Sequence, residues 1–205
     1  MSSPPRDASV ARPRPSPAGV VLAPGAGGGR DDRTLVAVEA ALAPLPVRRI
    51  EFANRAAGIR APDRPPAAIA HVRAHAAAFA DDLGVPADRI VLGGRSFGGR
   101  MCSMAVADGL PAAGLVLLSY PLHPPGRPDR LRIEHLPLID VPVLLVSGER
   151  DPFGTPAELV ERFSVVPGPV TTVFVPGNHS PRDEQKVASA VRDWLSTSLP
   201  AGTTT

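Results

Sequence analysis

Short, unbroken apolar runs alternate along the chain with stretches of helical spacing, and this alternation limits the fold more than any other feature. Runs without polar–apolar alternation, separated by helices, are typical of a mostly parallel sheet that helices cover on both faces. We predict six strands, at residues 19–23, 47–52, 89–93, 113–119, 141–147 and 170–175. The predicted helices are at 35–42, 65–84, from the third strand to about 107, 155–163 and 183–199. The sequence therefore predicts an α/β fold whose functional residues lie just after the strands.

One domain, at residues 18–199, accounts for most of the 205-residue chain. Residues 1–17, rich in Ser, Pro and Arg, and residues 200–205 are predicted to be disordered tails. A net charge of +2 gives no reason to expect a nucleic-acid partner. No window approaches the roughly 18 apolar residues of a membrane span, and the first residues lack the apolar core of a secretory signal. We therefore expect a cytoplasmic protein without membrane contact.

A G-x-S-x-G pattern, centred on Ser96 between Gly94 and Gly98, lies between a predicted strand and a predicted helix. A serine at such a sharp turn is presented as a nucleophile, and the glycines leave room for strained backbone and close packing. The N-terminus of the following helix also favours developing negative charge. The pattern alone also fits a glycine-rich turn without chemistry, so the assignment depends on a base and an acid elsewhere.

The base and the acid are found after later strands. A serine nucleophile needs a base, and the base needs an acid that orients it. On this strand–helix plan the acid comes first and the histidine second. Asp151 follows the fifth strand and His179 follows the sixth, with Glu149 as the alternative acid. The sequence therefore predicts a catalytic triad of Ser96, Asp151 and His179, without a metal or another cofactor.

The glycine-rich loop after the first strand is predicted to complete the site. We expect Gly25 and Gly27 to let the backbone approach the substrate, and the amide of Ala26 to stabilise an oxyanion. The amide of Phe97, which follows the nucleophile, is the second predicted donor. The loop also fits a dinucleotide-binding turn, but the full G-x-G-x-x-G pattern needs glycine where Arg30 stands. That alternative leaves the three triad residues unexplained.

Other residue types that often carry chemistry are predicted to be structural. His71 and His75 lie one helical turn apart, but the glutamate of a zinc-binding H-E-x-x-H pattern is absent, so we place them on a helix surface. His135 is predicted to be structural. Cys102, the only cysteine, is predicted to pack in the core, and a single cysteine excludes an intramolecular disulfide.

The chain resembles small α/β-hydrolases of the testis-expressed-protein-30 type, also described as dienelactone-hydrolase-like. The segments that carry the resemblance are "PGAGG", "GGRSFGGR", "YPLHPPGRPDRLR", "GERDPFGTP" and "GNHS", within residues 19–198. The resemblance implies an α/β-hydrolase fold with Ser96 as nucleophile, Asp151 as acid and His179 as base. Relatives usually have "HGAGG" in the first loop, where this chain has Pro24. Because the donor role belongs further along that loop, we expect the oxyanion hole to be intact.

The interval 120–140 is too short for the cap domain of many α/β-hydrolases, so no cap domain is predicted. Its proline-rich segment is expected to lean over the site as a loop. Tyr120 and His123 are predicted substrate contacts, and His123 is alternatively a loop histidine bonded to backbone. Arg95 either binds a substrate carboxylate or phosphate, or pairs with an acid and braces the serine turn.

The predicted function is hydrolysis of an ester or related acyl bond of a small molecule through an acyl-enzyme. One alternative is a non-catalytic binding module that presents residues 120–132 to a partner, since the resembling family also contains members that look like interaction subunits. Another is a phosphate- or nucleotide-binding protein that uses Arg95 and Arg100. The expected partner is thus a small acyl substrate, and no oligomeric state is assigned.

Overall fold

The computed structural model describes residues 16–59 and 61–199, in which six strands form one sheet of parallel neighbours. The strands are Gly19–Ala23 (β1), Val47–Arg49 (β2), Ile90–Arg95 (β3), Gly114–Leu118 (β4), Val143–Gly148 (β5) and Val170–Val175 (β6). The helices are Arg33–Leu42 (α1), Ala53–Ala56 (α2), Pro65–Leu83 (α3), Phe97–Ala107 (α4), Pro156–Phe163 (α5) and Glu184–Ser198 (α6). The strand order is β2-β1-β3-β4-β5-β6. The predicted six-stranded α/β fold is confirmed.

The second strand is shorter than predicted. The apolar pattern extends to residue 52, whereas β2 ends at Arg49 and the short helix α2, which was not predicted, begins four residues later. Ile50 and Phe52 are each only 2% exposed, although they lie beyond the strand. Their apolar character therefore reflects packing in the core rather than strand pairing.

Side chains and glycines recognisable in the sequence define several helix ends. Asp32 caps α1 by accepting hydrogen bonds from the amides of Thr34 and Leu35, at 3.0 and 3.4 Å. The helix α3 begins with two prolines and ends at Gly84, which has the left-handed conformation that favours glycine (φ 63°). Thr155 caps α5 through a reciprocal capping box with Glu158.

Two apolar clusters cover the two faces of the sheet. One cluster contains buried residues of α3, α4 and α5, and the other contains buried residues of α1 and α6. Along β3 the side chains alternate between them, with Leu92 in the first cluster and Val91 in the second. The strands are thus buried on both faces, which explains why their sequences lack polar–apolar alternation.

The connection between β4 and β5 is packed onto the domain. Leu122, Leu136 and Ile139 from this connection are fully buried in the core. A cap domain is absent from the described chain, as predicted. None of the described helices is long and apolar enough to cross a membrane.

The predicted tails lie almost entirely outside the described residues. Of the segments 1–17 and 200–205, only residues 16 and 17 are described. The carbonyl oxygen of Ser16 accepts a hydrogen bond from Nε of Arg89 at 3.0 Å.

Candidate active site

Ser96 occupies the turn between β3 and α4 in a backbone conformation that few residues other than glycine adopt. Its φ is 49° and its ψ is −114°, and a non-glycine residue in a sparsely populated region costs on the order of 1–3 kcal/mol. A Cβ atom would lie 2.1 Å from the carbonyl oxygen of Ala23 at Gly94, and 2.3 Å from it at Gly98. Both glycines of the motif are therefore required by the close approach of β1.

The three residues predicted as a triad lie within hydrogen-bonding distance of one another. Nε2 of His179 is 2.8 Å from Oγ of Ser96. Nδ1 of His179 is 2.8 and 3.0 Å from the two carboxylate oxygens of Asp151. The Asp151 side chain is 1% exposed and the His179 side chain 17%. The serine hydroxyl, the imidazole and the carboxylate thus form one continuous series, with the carboxylate at its buried end.

Neighbouring groups fix the orientation of Asp151 and His179. The Asp151 carboxylate accepts hydrogen bonds from Oγ of Ser147 at 3.2 Å and from the amide of Phe153 at 2.9 Å. The Phe153 ring stacks on the imidazole, with centroids 4.0 Å apart. Sequence reasoning did not identify Phe153, although its position two residues after the acid was a usable signal. The alternative acid, Glu149, is exposed.

The glycine-rich loop after β1 forms a tight turn beside Ser96. The amide of Gly28 donates to the carbonyl oxygen of Gly25 at 3.0 Å, which leaves Ala26 in the middle of the turn. Among the described residues, no acceptor takes the amide of Ala26 or that of Phe97 in the first turn of α4. Both residues line one cleft with Ser96. The two predicted oxyanion donors therefore lie at the same cleft as the serine.

Arg95 connects the serine turn to two other segments. Its Nη2 donates to the carbonyl oxygen of His179 at 3.2 Å and to Oγ of Ser180. Its Nη1 lies 3.5 Å from the carboxylate of Asp32, which also caps α1. These contacts support the bracing role among the two that were considered for Arg95, although the residue also lines the cleft.

A family model described as an alpha/beta hydrolase domain matches residues 16–198. The chain belongs to the α/β-hydrolase family. This membership accounts for the six-stranded parallel sheet and its strand order. It also replaces the dinucleotide-binding alternative for the first loop.

Several solved structures are similar to this α/β-hydrolase in fold. The dienelactone hydrolase of Anabaena variabilis is 19% identical with a TM-score of 0.69, over 89% of this chain and 87% of that chain. A hydrolase of the alpha/beta superfamily from Xanthomonas campestris is 20% identical with a TM-score of 0.66, over 88% and 99%. A thioesterase of the prodiginine pathway in Streptomyces coelicolor is 17% identical with a TM-score of 0.63, over 88% and 91%.

The α/β-hydrolase has an open cleft of about 830 Å³ at the serine turn. The wall is formed by the first loop, the segment before α3, the start of α4 and the loops that follow β4, β5 and β6. Its lining includes Ala26, Ser96, Phe97, Arg100, Arg132 and His179. Gly25 and Gly27, two predicted substrate contacts, also line it.

Two other predicted substrate contacts do not lie on the cleft wall. Tyr120 is 1% exposed, and its hydroxyl donates to the carbonyl oxygen of Arg132 at 2.7 Å while its ring packs against Phe163. His123 is 5% exposed, and its Nδ1 bonds to the carbonyl oxygen of Pro124 at 2.9 Å. The substrate role predicted for these two residues therefore requires correction: both support the loop from inside. Of the two possibilities for His123, the backbone-bonded one is observed.

The remaining candidates have structural contacts. Nε2 of His71 bonds to the carbonyl oxygen of Glu51, and Nε2 of His135 lies 2.8 Å from Oγ of Ser103. Burial and then the charge of Arg100 lower the pKa of His135 to about 4. Burial raises the pKa of the Cys102 thiol to about 12. Within the described ranges, no group of three or more His, Cys, Asp or Glu side chains could hold a metal ion.

A second cavity, of about 870 Å³, lies between α6 and the edge strand β6. Val173, Val175 and Trp194 form part of its wall. None of the predicted site residues lines this cavity.

Proposed function

We propose that this α/β-hydrolase is a serine hydrolase that cleaves an ester or related acyl bond of a small molecule. The observation that carries the proposal is the hydrogen-bonded series from Ser96 through His179 to Asp151 on the wall of a cleft. A volume of about 830 Å³ suits a small molecule, since ligand pockets measure about 300–1,000 Å³. The sequence segments described above also support placement in the testis-expressed-protein-30 subgroup.

Acylation begins with the serine hydroxyl. Nε2 of His179 is placed to take the proton from Ser96 Oγ as the oxygen attacks the substrate carbonyl carbon. The imidazole becomes an imidazolium, which the buried Asp151 carboxylate stabilises and holds in the required tautomer. The same imidazolium then donates its proton to the leaving alcohol.

The tetrahedral intermediate carries an oxyanion that needs donors. The free amides of Ala26 and Phe97 are the available pair, and the N-terminus of α4 adds a favourable dipole. In the second half of the reaction, water attacks the acyl-enzyme with His179 again as the base. The open cleft admits this water without movement of a cap domain.

Labelling by a fluorophosphonate probe tests the proposal. A fluorophosphonate reacts only with a serine that an adjacent base has activated, so we expect wild-type protein to be labelled and Ser96→Ala to remain unlabelled. Ser164→Ala is the matched control, because this serine lies at the exposed end of α5 and bonds only to the carbonyl oxygen of Glu161. Absence of labelling in folded wild-type protein contradicts the proposal.

The same experiment separates the enzyme from a non-catalytic binding module. In that alternative, residues 120–132 are presented to a partner; Tyr120, Leu122 and His123 are buried, whereas residues 125–130 are exposed. A binding module leaves the probe unreacted whether or not Ser96 is present.

A further inference from the structure

Arg100 carries a positive charge on the cleft wall that no described group compensates. The residue lies on α4, one helical turn after Ser96, and lines the same cleft. Its Nε is buried and has no hydrogen-bond partner in the described parts of the chain. Buried charged groups are normally paired because desolvation is costly. The Arg100 guanidinium is thus placed to bind an anion in the cleft.

Arg132 adds a second positive charge to the same wall. Its Nη1 donates to the carbonyl oxygen of Pro121 at 3.3 Å, and the described residues place no carboxylate within ion-pair distance of it. Burial and then the charge of Arg100 lower its pKa. Two positive charges that repel each other, Arg100 on α4 and Arg132 on the loop after β4, are thus held close together at the cleft.

The two carboxylates that line the cleft, Asp32 and Asp63, and the buried carboxylate of Asp151 all have other partners. Asp32 caps α1 and faces Arg95. Asp63 accepts a hydrogen bond from the amide of Asn54 at 3.3 Å. Asp151 bonds to His179. The positive charges of Arg100 and Arg132 are consequently available to a ligand.

We propose that Arg100 and Arg132 form an anion-binding subsite, so that the preferred substrates are esters that carry a carboxylate or a phosphate group. Guanidinium groups bind both anions through paired hydrogen bonds. This inference rests on the proposed hydrolase function. One helical turn separates the backbones of Ser96 and Arg100 by about 6 Å along the axis. The anion and the scissile carbonyl therefore belong to one small molecule, separated by a few bonds.

Esters of similar size that differ in charge test the subsite. On the alcohol side, the anionic esters are p-acetoxybenzoate and p-acetoxyphenyl phosphate, and the neutral partner is p-acetoxybenzamide. On the acyl side, the mono-p-nitrophenyl ester of adipic acid is compared with p-nitrophenyl hexanoate. Because a hydrogen bond to a charged group contributes about 1.5–3 kcal/mol, we expect kcat/KM to favour an anionic ester by about 10- to 100-fold in at least one pair.

Substitution of the two arginines assigns the preference. Arg100→Gln and Arg132→Gln are each expected to reduce the ratio of kcat/KM for the charged ester to kcat/KM for the neutral ester by about tenfold. Arg130→Gln is the matched control, because Arg130 is an exposed arginine two residues from Arg132 and does not line the cleft. Arg132→Gln keeps the test valid if Arg100→Gln fails to fold.

Binding to Ser96→Ala separates this inference from the proposed function. Calorimetric titration with p-hydroxybenzoate and p-hydroxybenzamide measures the subsite without catalysis. The subsite predicts that p-hydroxybenzoate binds more tightly than p-hydroxybenzamide. It also predicts that this difference is lost when Ser96→Ala is combined with Arg100→Gln or with Arg132→Gln. This result supports the subsite even if wild-type protein hydrolyses no ester. Equal rates for charged and neutral esters, or a charge preference unchanged by both arginine substitutions, overturn the subsite and leave the hydrolase function standing.

Discussion

Replacing Gly98 with alanine places a methyl group against the backbone of β1 and the first loop. The new Cβ would lie 2.3 Å from the carbonyl oxygen of Ala23 and 2.5 Å from that of Pro24, whereas ordinary contacts begin at 3.4 Å. Both neighbours are backbone atoms, so no flexible side chain can move aside. Relief requires α4 and β1 to separate by about 1 Å in a packed interior.

The expected loss of stability follows from two opposing effects. Overpacking costs about 1–3 kcal/mol, and contact with backbone places this site at the upper end. The better helix propensity of alanine offsets about 1 kcal/mol. A net loss of about 1–2 kcal/mol lowers Tm by about 2–8 °C in a domain of this size. Because the displaced backbone leads to Ala26, a shift of about 1 Å also reduces the rate of ester hydrolysis on the order of 10²-fold.

Gly27→Ala is the control for stability. No atom lies within 4 Å of a Cβ at Gly27, and its φ lies outside the left-handed region. Alanine there is expected to raise stability by about 0.4–1 kcal/mol through the entropy of the unfolded chain. Thermal denaturation of both variants and p-nitrophenyl acetate hydrolysis by Gly98→Ala are the measurements. A Gly98→Ala protein that melts at or above the wild-type temperature with full activity refutes the packing argument.

Two further predictions concern ionisable groups. Asp151→Asn is expected to lower kcat by about 10³–10⁴ without unfolding the protein, while the exposed Glu149→Gln leaves kcat within about twofold of wild type; equal losses contradict the choice of acid. The pKa of His135 is lowered to about 4 from an ordinary value of 6.5, so the unfolded chain binds a proton that the folded chain does not, and stability falls as pH falls through this window. Between about pH 7 and pH 5, the free energy of unfolding of His135→Asn is expected to fall by about 1 kcal/mol less than that of the wild type, after allowance for solvent screening. Urea denaturation at the two pH values measures this difference. An unchanged pH dependence contradicts the assignment of this loss to His135.

The positions of the strands and of Ser96, Asp151 and His179 could be predicted because each depends on a local sequence pattern. An apolar run sets a strand, and the order in which strands end sets the order of serine, acid and histidine. The second strand was predicted too long for a related reason. Ile50 and Phe52 are buried without strand pairing, and sequence periodicity cannot separate these two causes of apolar character.

The wall of the cleft was not predictable in the same way. Arg95 directly precedes the serine and Arg100 follows it by four residues, but the sequence does not show what either side chain contacts. Arg95 lies at the end of a strand and braces the histidine loop, whereas Arg100 lies one helical turn into α4. Arg132 reaches the cleft through a loop whose path no local pattern specifies. Tyr120 and His123 belong to that loop, and only packing decides that both face inward.

The strained conformation of Ser96 bears on how such a protein changes over generations. Glycine adopts a φ of 49° without the side-chain penalty, so Ser96→Gly would return on the order of 1–3 kcal/mol of stability. In a marginally stable domain, a lineage without use for the hydroxyl gains from that single substitution. Stability alone therefore favours glycine over serine at this position.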